Sequence, residues 1–184
     1  MTELRTTPSQ TVGPYLHIGL TWDDGPYAVP LGTPGALWIR GRVFDGAGVA
    51  IDDALVEIWQ ADEDGHFAHP DDPRDVRPNF RGFARSDTRD GQFACYTVIP
   101  GAVSGADGGR QAPHIDMSVF ARGLMHRVVT RVYFPDHADQ HSTDPVLATV
   151  PAQRRGTLIA ERGSDGYVFD VHLQGESETI FFDV

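Results

Sequence analysis

Polar and apolar residues alternate along several short stretches of the chain. Arg127, Val129, Arg131 and Tyr133 interleave with Val128, Thr130, Val132 and Phe134, and Val168, Asp170 and His172 interleave with Phe169, Val171 and Leu173. Successive side chains of a strand point to opposite faces, so each stretch predicts a strand with one face in a core. Further strands are predicted over roughly 37–44, 54–59, 92–98, 114–121, 157–161 and 178–183, bounded by turn pairs such as Asp45-Gly46, Asp90-Gly91 and Asp165-Gly166. About eight short strands without a long amphipathic helix predict an all-β fold, an antiparallel β-sandwich. The helix signal is confined to Asp144-Pro145 before Val146-Leu147-Ala148. Asp caps free amides, Pro suits the first helical position, and Pro151 stops the helix within a turn or two.

Two regions lack a strand pattern. Residues 1–36 carry Pro8, Pro14, Pro26, Pro30 and Pro34 and are expected to form an extended N-terminal arm, leaving 37–184 as a single sandwich domain. The stretch from Asp62 to Asp90 is polar and rich in Pro, Gly and Asp. Connections that long point to a functional or interface-forming role.

Composition narrows the function classes. Acidic residues number 26 against 15 basic ones, for a net charge of -11, and all the basic residues are Arg. A chain this acidic, without a basic run, is poorly suited to nucleic acid or an anionic membrane surface. No apolar stretch reaches the length of a membrane span, and the first ten residues lack a signal-peptide pattern, so a soluble cytoplasmic protein is expected. Cys95 is the one cysteine, which rules out an internal disulfide.

Eight histidines invite a metal reading. His114 and Asp116 share one strand face, and with a distant His172 they imitate the two-His, one-carboxylate triad of non-haem Fe(II) oxygenases. The basic cosubstrate-holding residue that 2-oxoglutarate-dependent members need beyond the second His is missing. Polar side chains satisfied at a sheet face account for the same residues. His66 and His69 lie in a loop without fixed geometry, His137 and His141 in a polar loop read as solvated, and Asp52-Asp53 and Asp71-Asp72 read as turn and surface residues.

Longer strings carry more information. Gly41-Arg42-Val43-Phe44-Asp45-Gly46, Ala54-Leu55-Val56-Glu57-Ile58-Trp59-Gln60-Ala61-Asp62 and Asn79-Phe80-Arg81-Gly82-Phe83 resemble the intradiol ring-cleavage dioxygenases. So do Thr97-Val98-Ile99-Pro100-Gly101, Ala112-Pro113-His114-Ile115 and Thr130-Arg131-Val132-Tyr133-Phe134. The opening Thr7-Pro8-Ser9-Gln10-Thr11-Val12-Gly13-Pro14-Tyr15 and the closing Gly175-Glu176-Ser177-Glu178-Thr179-Ile180-Phe181-Phe182-Asp183 are similar to the alpha-type chain of the family's two-subunit members.

The resemblance implies a non-haem Fe(III) cofactor held by two tyrosinates and two histidines. At the matching positions this chain carries Phe67, Val103, His114 and Asp116, and no Tyr lies between Asp62 and Gln92 or between Thr97 and Pro113. The resemblance therefore implies that the iron belongs to a homologous beta subunit, with alpha–beta pairs building a larger assembly. No catalytic residue is then expected in this chain. Thr11, Gly13, Pro14 and Arg122 match the positions with which an alpha-type chain walls the beta pocket, whose substrates would be 3,4-dihydroxybenzoate and O2. Arg122 would either favour the anionic substrate or pair with a beta carboxylate. Two other readings of the residues stay open. One is a stand-alone, non-catalytic β-sandwich binding module, and the other a self-sufficient iron oxygenase using His114 and Asp116.

Overall fold

The computed structural model describes residues 6–105 and 108–183. Residues 1–5 of the expected arm and 106, 107 and 184 of the expected domain lie outside the described residues. The elements run α1 (Leu16–Leu20), β1 (Leu37–Gly41), β2 (Val43–Phe44), β3 (Leu55–Trp59), β4 (Phe83–Asp87), β5 (Phe93–Thr97), β6 (Val103–Ser104), β7 (Arg110–Gln111), β8 (His114–Phe120) and β9 (Val128–Tyr133). After these come α2 (Ala138–His141), α3 (Pro145–Thr149), β10 (Glu161–Arg162), β11 (Gly166–Val168) and β12 (Val171–His172).

Two four-stranded sheets, ordered β10-β11-β1-β5 and β4-β3-β8-β9, dominate the architecture. The second sheet is antiparallel throughout, while the first contains a parallel β1–β11 pair. Period-two patterning decides which side chains meet between them. Ile39, Phe93, Cys95 and Tyr167 face Val56, Ile58, Ala84, Ile115, Met117, Val119 and Val132 in one buried cluster. Burying a Val or Ile side chain contributes about 1.5–3 kcal/mol, so this alternation is the main favourable term of the fold. Gly41 ends β1 where a side chain has no room, since a Cβ there would lie 1.9 Å from the Phe169 carbonyl oxygen. Cys95 is fully buried, which pushes its thiol up to about 12 and keeps it protonated.

Four expectations from the sequence need correction. The 62–90 stretch contains β4, whose inward positions Ala84 and Ser86 are too small or polar to show a hydrophobic pattern. Of residues 157–161 only Glu161 lies in a strand, as the first residue of β10. A 3₁₀ segment runs over Ala152–Leu158, and Ile159 then makes a single bridge to Tyr133. Residues 178–183 likewise make only the Val129–Phe182 bridge. The arm is not extended throughout, because it contains α1 and then threads between the two sheets. The amide of Ala28 donates to the Tyr96 carbonyl of β5, while the carbonyls of Gly25 and Ala28 accept from the amides of Arg85, within β4, and Arg81, just before it. The segment 25–28 thus bonds to an edge of each sheet. The α3 expectation holds in detail. Asp144 accepts from the amides of Val146 and Leu147, and Pro145 occupies the first turn.

Candidate functional site

Side chains on the outward face of β3 and β8 fall into two clusters at the two ends of β8. His114 opens this strand and Phe120 closes it, so the ends lie about 20 Å apart at roughly 3.3 Å per residue.

The His114 end holds Phe67, Val103, His114 and Asp116, the four positions that the sequence resemblance matched to iron ligands. Ladder register places Asp116 opposite both Trp59 and Arg131. Arg131 donates from Nε to Asp116 Oδ1 at 2.9 Å and from Nη1 to Gln111 Oε1 at 2.8 Å. His114 is buried, its Nδ1 bonded to the Ala112 carbonyl at 2.7 Å and its Nε2 3.9 Å from Asp116. Burial, with Arg131 adding to it, pushes the His114 pKa down and keeps the ring neutral. Phe67 stacks on Trp59 with ring centroids 6.3 Å apart, and β6 carries Val103. Between them opens a cleft of about 740 Å³ edged by Trp59, Phe67, His69, Arg74 and Ser104. Arg74 is paired there with Asp72 through Nε and Nη2 at 2.8 and 2.7 Å. That pairing, with the Phe67 amide as a further donor, holds the Asp72 carboxyl well below the usual carboxylate range.

This donor set does not fit a ferric ion. Phe67 and Val103 offer no donor atom, Asp116 is engaged by a guanidinium, and a cation there would face the permanent charge of Arg131. Tyr133, whose ring lies 5.6 Å from that of His114, cannot substitute for a tyrosinate. Burial pushes its phenol up, so the neutral form is strongly favoured. Among the described residues no three His, Cys, Asp or Glu side chains are grouped so as to hold a metal. The triad with His172 does not assemble either, since that ring stacks on Phe44 at 4.9 Å.

The Phe120 end gathers Thr11, Gly13, Pro14 and Arg122, for which the sequence resemblance implied a pocket-walling role. Thr11 Oγ1 accepts from the Gly123 amide at 2.7 Å and from the Gly13 amide at 3.4 Å. One threonine hydroxyl therefore ties the arm to the turn that follows Arg122. Gly13 sits at φ +71, a left-handed conformation that other residues adopt at a cost, and Pro14 fixes the next step of an exposed path. Arg122 is 62% exposed, and its Nε lies 3.3 Å from Asp53 Oδ2. A shallow groove of about 250 Å³ beside it is lined by Val12, Leu124 and Met125 among others.

Two assignments of surface character fail. His141 is only partly exposed, its ring packed edge-on against Tyr133 and its Nε2 buried without a hydrogen bond. Asp53 is 7% exposed, and neither carboxylate oxygen has a hydrogen-bond partner among the described residues. Sequence offers no signal for Asp53. It faces Arg122 because both lie two residues beyond the Leu55–Phe120 pair that ends the β3–β8 ladder.

The chain matches the family model described as "Dioxygenase" over residues 13–175. It is 43% identical to the protocatechuate 3,4-dioxygenase alpha chain of Burkholderia cepacia over 203 residues, covering all of both chains. Against the beta chain from the same organism identity falls to 32% over 184 residues, covering 93% of this chain and 77% of the other. Among solved structures, the dioxygenase domain of a carbohydrate-binding fusion protein from Streptomyces sp. SirexAA-E aligns with a TM-score of 0.57 at 27% identity, covering 92% of this chain and 99% of that one. The chain belongs to the intradiol ring-cleavage dioxygenase family, in which it groups with the protocatechuate 3,4-dioxygenase alpha chains.

Proposed function

We propose that this chain is the iron-free alpha subunit of a protocatechuate 3,4-dioxygenase and that it completes the substrate pocket of an iron-bearing beta subunit. On this reading the non-haem Fe(III) belongs to beta. There, O2 cleaves 3,4-dihydroxybenzoate between its hydroxyl-bearing carbons to give 3-carboxy-cis,cis-muconate. Thr11, Gly13 and Pro14 present backbone to the aromatic ring, and Arg122 meets the substrate carboxylate. The cytoplasm is the compartment we assign; no helix among the described residues is long and apolar enough to cross a membrane.

The observation that carries the reading is the position of Arg122. Its largely exposed guanidinium stands beside the arm, at the end of β8 remote from the positions that lack donor atoms. A cation there cannot serve a site built around His114 in the same chain, yet it is open to a neighbour. Permanently charged and fork-shaped, it suits a carboxylate.

Co-expression with a beta-type chain that retains both tyrosines and the His-x-His pair tests this. The expected outcome is a stable complex with iron and with O2 uptake on 3,4-dihydroxybenzoate, and neither property in the isolated chain. Stoichiometric iron on this chain alone, or failure to form any complex, overturns the reading.

A further inference from the structure

Asp53 is an anomaly of this fold. It is 7% exposed, both oxygens are without hydrogen bonds, and Arg122 makes the one ion pair that reaches it among the described residues. A buried carboxylate that accepts no hydrogen bond is costly to keep, and a neutral side chain of similar volume would fill the same space at less cost. The fold itself gains little from this charge. Its partner, by contrast, gains a defined direction. Asp53 approaches the guanidinium at Nε, and no hydrogen bond among the described residues occupies Nη1 or Nη2. The backbone of the adjoining turn is fixed separately by the Gly123–Thr11 hydrogen bond.

We propose that Asp53 is a positioning residue for substrate recognition: from beneath, it holds Arg122 by Nε and turns the two terminal nitrogens outward toward the substrate carboxylate. A free Arg side chain distributes itself over many rotamers, and ordering it before binding removes an entropic cost from the encounter. Asp53 touches neither substrate nor iron on this account and acts wholly through Arg122. The inference therefore rests on the pocket role given to Arg122 above.

The test uses the assembled alpha–beta complex and two substrates, 3,4-dihydroxybenzoate and catechol, which lacks the carboxylate. Arg122→Ala is expected to raise KM for 3,4-dihydroxybenzoate about 10- to 100-fold, as the loss of a charge-assisted contact, and to leave KM for catechol unchanged. Asp53→Leu, apolar and similar in shape, is expected to raise the same KM about three- to tenfold with kcat and iron content unchanged. Asp53→Asn, which keeps one acceptor oxygen, should fall between Asp53→Leu and the natural chain, and it preserves the test if Leu disturbs folding. Neither Asp53 variant should add to the effect once Arg122 is Ala. If Arg122→Ala raises KM and the Asp53 variants do not, the positioning role is wrong and the Arg122 reading stands. If the Asp53 effect persists in the Arg122→Ala background, it is a general structural effect and the proposal fails. If Arg122→Ala leaves KM unaltered, the pocket role and the Asp53 inference fall together.

Discussion

At the His114 end of β8 the charged groups are answered within the chain, whereas at the Phe120 end a mostly exposed guanidinium stands over a buried carboxylate. Arg131 is shared between Asp116 and Gln111, and Asp144 takes up two helix amides, the Ala112 amide and the Tyr133 hydroxyl. Asp116, Arg131 and Asp144 are thus engaged by groups of the chain itself. Among the described residues Arg122 has one ion-pair contact, and its side chain is 62% exposed. The same sheet thus has one end whose polar groups build structure and another that leaves one guanidinium largely exposed. The availability of a charge, rather than its presence, separates the two.

Substitutions at each end should therefore have different consequences. The largest effect is expected from Asp144→Ala, which removes a buried cap and strands the Ala112 amide. It should cost about 2–4 kcal/mol in urea unfolding of the chain and leave KM of the assembled complex unchanged. A stability loss below about 0.5 kcal/mol would show that Asp144 does not organise the closed end. Arg122→Ala should do the reverse and act mainly on KM, at about 1.5–3 kcal/mol of lost binding. It also leaves Asp53 buried without a counter-charge, so its melting temperature should drop and be recovered by adding Asp53→Leu. A double variant no more stable than Arg122→Ala would mean that Asp53 does not depend on Arg122 for compensation. Asp116→Asn takes the charged partner from Arg131 and should cost about 1–2 kcal/mol of stability, with kcat and KM untouched. A KM change of tenfold would place the closed end in the substrate path.

The smallest effect is a tilt with pH. Burial holds the pKa values of His114 and His141 below the ordinary 6.5. The unfolded chain then binds protons more readily than the folded one as pH falls through that value. Stability is full above about 6.5 and declines below it, toward the depressed folded values. Melting temperatures between pH 7.5 and 5 should show this decline, and His114→Gln should flatten it. A variant that melts with the same slope as the natural chain would assign the effect elsewhere.

What could be read in advance follows from what each residue needs. Val132, Met117 and Ile58 reach the core because alternation with polar neighbours admits one arrangement on a pleated strand. β4 was hidden because Ala84 and Ser86 face inward without bulk, so the strand exists by pairing with β3 rather than by its own pattern. The absence of tyrosine from two loops is likewise a property of the sequence and needs no coordinates.

Asp53 shows where that kind of reading stops. In the chain it is one of two adjacent acids before a strand, indistinguishable from a turn residue. Only the β3–β8 register sets it opposite Arg122, sixty-nine positions away, and only packing removes it from water. Local patterning determined the core face and most of the strands, and side-chain type alone fixed the absence of tyrosine, because those depend on near neighbours or on composition. The tertiary structure decided which charges meet and which remain free, because burial and long-range register belong to the folded chain as a whole.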